Sequence, residues 1–190
     1  ARKSQFQHVE KERGKDRKVR VGYLSPDFFS HAIYFFVREI LTHHDRDKFE
    51  VFCYANLYTS DDATEDLKKR TDHWKEIQFL SDYEAAKLIK NDNIDILIDL
   101  SGHTRKNRLK VFAYKPAPIQ ATYLGYPGST GLSEMDYWIS DHFLHPKDTK
   151  ELSSEMIYRL DRCYLAYSST LTPNIVDKPA NSPLTIGVIN

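Results

Sequence analysis

The sequence predicts an α/β protein built on a doubly wound, mostly parallel β-sheet. Apolar strand-like runs alternate with amphipathic helix-like runs along most of the chain. One run, IDILIDL at 94–100, is almost continuously apolar, as is typical of a strand buried on both faces of a sheet. The 190 residues are 41% hydrophobic, which is enough to fill the core of one domain.

The individual elements follow from this alternation. Ser30 and Ser81 are expected to cap the first and third helices, because a serine hydroxyl accepts an unpaired amide of the first helical turn. The second helix opens with acids and closes with bases, as the helix dipole favours, so we interpret SDD at 60–62 as a cap and not as a metal-binding pair. The predicted strands are 19–24, 48–55, 74–80, 94–100, 119–125 and 136–140, and the predicted helices are 30–43, 60–71, 82–92 and 107–115.

Charge and cysteine content exclude several classes of protein. Lys+Arg and Asp+Glu both number 27, so no overall field favours nucleic acid or an anionic membrane as a partner. Cys53 and Cys163 are too few for a disulfide framework or a cysteine metal site. No apolar run approaches the 18 or so residues of a membrane span, and no secretory signal is apparent. These features predict a cytoplasmic protein.

The two ends of the chain differ from its middle. Residues 1–18 are rich in Lys and Arg, and we interpret them as a flexible arm, with a basic binding tail as the alternative. Residues 19–170 form the predicted α/β lobe. Residues 171–183 have the Pro and Asn content of a linker. LTIGVIN at 184–190 then begins a new strand, which predicts a second lobe that is truncated after its first element.

Two histidines are predicted to lie at the same edge of the sheet. Open α/β sheets bind ligands beyond the carboxyl ends of their strands, where the strand order reverses, and in the usual order this point lies between the first and fourth strands. The loop after the first strand, SPDFFSH, ends in His31. The loop after the fourth, SGHTRKN, contains His103. Both are therefore candidate functional residues.

His31 is the candidate with a chemical rationale. At the start of a helix it faces the positive end of the helix dipole, which disfavours imidazolium and leaves a neutral ring that can accept a proton. Asp27, four residues earlier, either orients this ring or caps the helix. A purely structural role for His31 at the helix start, and a solvated loop position for His103, are the alternatives.

A third loop, GYPGSTG at 125–131, holds three glycines and a proline directly after a predicted strand. It lacks the Gly-Lys-Ser/Thr ending of a nucleotide-triphosphatase phosphate loop and is not G-x-G-x-x-G. Its glycines would let a ligand approach the backbone closely. A plain turn cluster is the alternative.

Four segments together resemble one known family. RVGYLSPDFFSH, DKFEVFCYA, IDILIDLSGHT and KPAPIQATYLGYPGSTG occur in this order, and they are similar to the N-terminal lobe of the catalytic region of O-GlcNAc transferases, glycosyltransferase family 41. The resemblance covers about residues 19–190. It implies a GT-B fold, in which two Rossmann-like lobes enclose the active site, and an inverting transfer of a sugar, usually from UDP-GlcNAc, to Ser/Thr hydroxyls of proteins.

The resemblance also assigns roles. His31 matches the active-site histidine of the DF..H loop, with Asp27 in the same motif, and both are the candidate catalytic residues. No metal or other cofactor is implied, and the partners are a sugar nucleotide, an acceptor protein or peptide and the absent C-terminal lobe. The loops that line the cleft supply the candidate substrate-binding residues Gly102, His103, Gly125, Tyr126, Pro127, Gly128, Ser129 and Thr130.

Two departures from the family pattern limit these expectations. The tetratricopeptide repeats that usually precede the catalytic region are not among these 190 residues, and neither is the second lobe that holds most of the donor. This chain alone is therefore expected to be inactive. A non-catalytic Rossmann-like interaction domain is the alternative from another class, and donors such as GDP-fucose or UDP-glucose remain open.

Overall fold

The computed structural model describes residues 6, 17–168 and 183, and within this part of the chain it contains seven β-strands and four α-helices. In chain order they are β1 (Val19–Ser25), α1 (Ala32–His43), β2 (Phe49–Ala55), α2 (Asp62–Lys69), β3 (His73–Glu76), α3 (Asp82–Asn91), β4 (Ile96–Asp99), α4 (Leu109–Phe112), β5 (Ile119–Thr122), β6 (Tyr137–Asp141) and β7 (Met156–Leu160).

The strands form one sheet in the order β3-β2-β1-β4-β5-β6-β7, and every neighbouring pair is parallel. From β1 the chain adds β2 and β3 toward one edge of the sheet, and it then adds β4 to β7 in order toward the other edge. The predicted doubly wound α/β fold is therefore confirmed. β1 and β4 are neighbours, paired from Val21↔Ile96 to Leu24↔Asp99, so the strand order reverses between them.

Helices cover both faces of the sheet, and each face has its own core. On one face α1 and α2 pack over alternate residues of the central strands, such as Val21 and Cys53. On the other face α3 and α4 cover the intervening residues, such as Leu24 and Leu97. This alternation follows from the two-residue repeat of a β-strand, whose successive side chains point to opposite faces.

The segment 94–100 is the most buried strand region, as its sequence predicts. Six of its seven residues are buried, against five of seven in β1 and in β2.

Gly22 of β1 lies beside this segment and is closely surrounded by side chains of both neighbouring strands. A Cβ at this glycine would lie 3.0 Å from the Tyr54 ring and 3.1 Å from Leu97. The absence of a side chain at Gly22 therefore lets large side chains of both neighbouring strands fill this face.

The helix caps agree with the sequence at α2 and α3 and differ at α1. Asp61 and Ser81 cap α2 and α3 and each also forms a capping box, which confirms the interpretation of SDD as a helix cap. The prediction that Ser30 caps α1 is wrong. The amide of Ser30 donates to the Asp61 carboxylate at 2.8 Å, and the helix begins two residues later with His31 as its N-cap.

Several elements are shorter than predicted, and one was missed. β3, β5 and α4 each end three or more residues before the predicted limit. The edge strand β7 has no counterpart among the predictions. It is only five residues long, and each of its residues is exposed or half-buried. The predicted linker at 171–183 and strand at 184–190 lie outside the described residues, except for Pro183, and the proposed boundaries stay predictions.

Within residues 1–18 the structure describes residues 6, 17 and 18, and two of these make defined contacts. Phe6 stacks on the Tyr83 ring, and its amide donates to the carbonyl of Tyr114 at 3.3 Å. Arg17 forms an ion pair with Asp95 at 2.7 Å. Residues 7–16 lie outside the described part, so the flexibility of the arm stays a prediction. Within the described residues, no helix is both long enough and apolar enough to cross a membrane.

Candidate functional site

The loop after β1 is held in place by a buried aromatic anchor. Phe28 is fully buried and packs against Trp74, with 5.5 Å between ring centroids, and its carbonyl accepts the hydroxyl of Thr64 at 2.8 Å. The amide of Asp27 donates to the hydroxyl of Ser25 at 3.0 Å. These contacts fix the backbone on either side of Asp27, so the carboxyl group has a defined place at the carboxyl edge of the sheet.

Asp27 is half-buried and lies near the side chains of His31 and Lys106, which are both basic. Burial raises the pKa of its carboxyl group, while the charges of His31 and Lys106 act in the opposite direction. Lys106 belongs to the loop after β4, so the two loops that flank the reversal of strand order approach each other at this carboxylate. A carboxylate with a raised pKa is a suitable proton acceptor near neutral pH.

His31 is the N-cap of α1, and this position determines where its proton lies. Its Nδ1 atom accepts the amide of Ile33 at 3.3 Å. A nitrogen that accepts a hydrogen bond carries no proton, so the neutral ring holds its proton on Nε2. In this arrangement the outer nitrogen is a hydrogen-bond donor. The helix start therefore suits His31 for donating to a ligand oxygen, which differs from the proton-accepting role expected from its position alone.

The loop after β4 is organised by Asp99, a fully buried carboxylate. Its two oxygens accept the amide and hydroxyl of Ser101 at 3.2 and 2.8 Å, the amide of Gly102 at 2.7 Å and the hydroxyl of Thr122 at 3.1 Å. Burial raises the pKa of Asp99, although all four donors oppose this shift. Asp99 thus turns the chain sharply at the end of β4 and places His103 on the rim.

The loops after β4 and β5 pack against each other at two glycines. A Cβ at Gly125 would lie 2.0 Å from the carbonyl oxygen of Leu100. A Cβ at Gly102 would lie 2.4 Å from the Cβ of Tyr126, and Gly102 also has a positive φ of 52°. Gly102 and Gly125 therefore allow the two loops to approach closely, a reason that the sequence alone did not distinguish from a plain turn or a ligand contact.

Replacing Gly125 with alanine should destabilise the protein strongly, because the new methyl group meets backbone atoms that cannot rotate away. Overpacking typically costs 1–3 kcal/mol, and we expect about 3 kcal/mol here. Gly131→Ala is the matched control in the same loop. Its φ is 71° but nothing lies within 4 Å, so only the conformational cost of about 1 kcal/mol applies. Chemical denaturation measures both, and equal losses would contradict the packing explanation.

The histidine of the SGHT loop contacts the glycine-rich loop directly. His103 Nε2 lies 3.1 Å from the carbonyl oxygen of Ser129, and its ring meets the edge of the Tyr126 ring at 5.4 Å between centroids. Ser129 and Thr130 are in turn bound by Glu155, immediately before β7. Glu155 was not among the predicted site residues, because the strand that positions it was not recognised.

Lys106 is a second residue that sequence reasoning missed. It has a positive φ of 63°, which is uncommon for a side chain other than glycine, asparagine or aspartate. The carbonyl of Lys106 accepts the Asn56 side chain at 3.0 Å, and its ammonium lies 5.0 Å from the centroid of the Tyr58 ring. These contacts stabilise the strained backbone and hold a positive charge beside Asp27.

The predicted site residues fall into two connected groups. Asp27 and His31 interact at the end of β1, and His103 joins the SGHT loop to the GYPGSTG loop at the ends of β4 and β5. Among the described residues no hydrogen bond joins His31 to His103, so their proximity within one cleft stays a prediction.

The predicted residues of the glycine-rich loop differ in exposure. Pro127 is exposed, whereas Thr130 is buried and bound to Glu155. The part of the chain that the structure describes holds no cluster of three or more metal-ligating side chains.

The described residues form an all-parallel, doubly wound lobe. The histidine-containing loops after β1 and β4 lie at the reversal of strand order, and the glycine-rich loop after β5 contacts the second of them. The family model "Glycosyl transferase family 41" matches residues 1–178. The chain therefore belongs to glycosyltransferase family 41.

The particular relatives are plant and bacterial proteins. The chain is 40% identical over 157 residues to the probable UDP-N-acetylglucosamine–peptide N-acetylglucosaminyltransferase SPINDLY of Arabidopsis thaliana, covering 80% of this chain and 17% of that protein. It is 36% identical over 157 residues to the SEC protein of the same plant, covering 81% of this chain and 16% of that protein. The chain thus spans about one sixth of the length of these relatives.

A solved structure agrees with the fold. A mutant O-GlcNAc transferase of Thermobaculum terrenum superposes with a TM-score of 0.76 and is 40% identical, over 79% of this chain and 29% of that chain. At this identity the likeness supports common descent as well as common architecture. The described lobe is therefore related to part of the catalytic region of O-GlcNAc transferases.

Proposed function

We propose that this chain is the N-terminal lobe of a protein glycosyltransferase that moves GlcNAc from UDP-GlcNAc to Ser/Thr hydroxyls with inversion. The observation that carries the proposal is the meeting of the SPDFFSH, SGHT and GYPGSTG loops at one edge of a sheet in a family 41 chain. The names of the plant relatives support the donor and the peptide acceptor. As an enzyme of this kind the protein would act in the cytoplasm.

In this proposal the lobe provides the acceptor side of the reaction. Inverting transfer requires a hydroxyl held in line with the bond that breaks, and a group that removes its proton as the new bond forms. Asp27 is the candidate for removing the proton from the acceptor hydroxyl, because its carboxyl group is half-buried and its pKa is raised by burial. His31 is the candidate for orienting the acceptor or sugar, because its Nε2–H is the ring donor left after helix capping.

The donor's diphosphate is proposed to bind a second lobe that follows residue 183. The leaving diphosphate needs cations and free helix N-termini. In the described lobe, the N-termini of α2 and α3 already bind their own Asp61, Ser81 and Glu84 side chains. The segment 184–190 is proposed to be the first strand of that second lobe, joined through the linker at 171–183.

The test is a transfer assay on the protein that includes both lobes. UDP-GlcNAc, GDP-fucose and UDP-glucose are each supplied in radiolabelled form with a Ser/Thr-containing peptide, and incorporated label is measured. We expect transfer from UDP-GlcNAc. Transfer from another donor alone would change the sugar and keep the reaction class. Absence of transfer and of donor hydrolysis with every nucleotide sugar would favour the non-catalytic interaction domain.

A further inference from the structure

Glu155 is a nearly buried carboxylate that binds the glycine-rich loop from behind. Only 5% of the residue is exposed. One carboxylate oxygen accepts the amide of Thr130 at 2.7 Å and also its hydroxyl, and the other accepts the hydroxyl of Ser129 at 2.7 Å. Burial alone would raise the pKa of Glu155, but the hydrogen bonds from Thr130 and Ser129 outweigh it and the pKa lies below its ordinary value. The carboxylate therefore stays ionised and keeps all three donors near neutral pH.

The same contacts fix the backbone of the loop. The hydroxyl of Ser129, while donating to Glu155, also accepts the amides of Gly131 and Ser154, each at 3.2 Å. Ser129 is thus held by its own loop and by the segment that leads into β7. A peptide unit restrained at so many points has little freedom to rotate, so the direction of the Ser129 carbonyl is determined by these hydrogen bonds.

The restrained carbonyl determines the state of His103. The carbonyl oxygen of Ser129 lies 3.1 Å from Nε2 of His103, and a carbonyl oxygen can only accept a hydrogen bond. Nε2 therefore carries the proton of the neutral ring, and Nδ1 carries a lone pair. Among the described residues Nδ1 has no hydrogen-bond partner, and His103 is exposed. A solvated imidazole without such a contact exchanges between both neutral forms.

We propose that Glu155 is a positioning residue that acts through Ser129 to fix His103 in its Nε2–H form and to present Nδ1 to a ligand hydroxyl. The positioning is a property of this chain's own residues. The ligand hydroxyl, on the sugar or on the acceptor, rests on the proposed function. Glu155 itself touches no reacting group, because it lies behind the loop and its oxygens are occupied by Ser129 and Thr130.

The test reads the His103 ring directly by long-range ¹H–¹⁵N correlation on the labelled 190-residue chain, at a pH where the ring is neutral. His103→Gln identifies the signals. In the parent we expect one protonated and one unprotonated nitrogen, at the limiting shifts of a single form. Glu155→Ala should move the two shifts toward each other, as in a solvated imidazole. Glu155→Gln should give shifts between those of the parent and those of Glu155→Ala, because its amide oxygen can still accept from Thr130, whereas the Ser129 hydroxyl already accepts two amides and loses its acceptor.

Glu151→Ala is the matched control. Glu151 lies in the same connection before β7, but its carboxylate contacts His145 at 3.1 Å and not the glycine-rich loop. Its replacement should leave the His103 shifts unchanged. If Glu155→Ala does not fold, Ser129→Ala decides the question, since it removes the hydroxyl and leaves the carbonyl. Unchanged His103 shifts in the folded variants, or equal changes in Glu151→Ala, would overturn the proposal.

A transfer assay on the two-lobed protein separates this inference from the proposed function. If the His103 shifts respond to Glu155→Ala as expected while the parent protein transfers no sugar, the positioning stands and the proposed function fails. If the parent transfers sugar and the shifts do not respond, the proposed function stands and Glu155 is structural only.

Discussion

Replacing His31 with asparagine should reduce sugar transfer by the two-lobed protein by roughly 10²- to 10³-fold, the loss that typically follows removal of one positioned hydrogen-bond donor from an active site. Asparagine can accept the Ile33 amide as His31 Nδ1 does, so α1 should keep its cap. It lacks the ring nitrogen that reaches outward from the helix start. Initial rates with UDP-GlcNAc and a peptide acceptor measure the loss, and a thermal unfolding midpoint measures the fold.

His31→Ala is the matched variant, because it removes both the cap and the outer nitrogen. Loss of an N-cap side chain costs about 1 kcal/mol, so the alanine variant should be less stable than the asparagine variant and equally slow. Turnover within a few-fold of the parent in both variants would show that the histidine only starts the helix. A variant that is slow only when it is also unstable would lead to the same conclusion.

The two roles considered for His31 and Asp27 differ in their pH dependence. If Asp27 removes the acceptor proton, its raised pKa predicts a rate that falls as the pH drops through that value, and Asp27→Asn should abolish this acidic limb. His31→Asn should lower the rate across the range and leave the limb in place, because a donating Nε2–H does not gain or lose a proton in the step. A limb that disappears in His31→Asn would instead assign the proton transfer to the histidine.

The edge of the sheet that carries the candidate site could be predicted because it depends on strand order. IDILIDL is recognisable as a central strand from its apolar continuity, and β1 from its place at the head of the alternation. Once these two are neighbours, the loops that carry His31 and His103 must lie at the same edge. The sheet confirms this arrangement through the parallel pairing of β1 with β4.

The atomic roles could not be predicted, because they depend on contacts between distant segments. Ser30 has the chemistry of an N-cap, but Asp61, 31 residues later, binds its amide, and His31 caps the helix instead. Glu155 reaches the glycine-rich loop only because β7 pairs with β6, and β7 is a short edge strand that is not buried in the core. Local patterns predict elements well, whereas partners that are far apart in the chain become apparent only in the fold.

The 190-residue chain alone should bind UDP too weakly to measure by calorimetry and should transfer no sugar. Micromolar affinity requires about 8 kcal/mol of binding free energy. In the described loops at the candidate site the cationic side chains are Arg105 and Lys106, both exposed, and exposed ion pairs contribute about 0–1 kcal/mol each. Asp27 opposes them with a negative charge nearby. These groups are far too weak to hold a diphosphate on their own.

The measurement is a titration of UDP into the 190-residue chain and, in parallel, into the protein that includes the proposed second lobe. Saturable binding is expected only in the second case, with transfer activity appearing together with it. Arg105→Ala in the two-lobed protein is the control for the exposed cations, and it should change UDP affinity by no more than a few-fold. Micromolar binding to the 190-residue chain would show that this lobe holds the diphosphate itself, and the division of roles between two lobes would then be wrong.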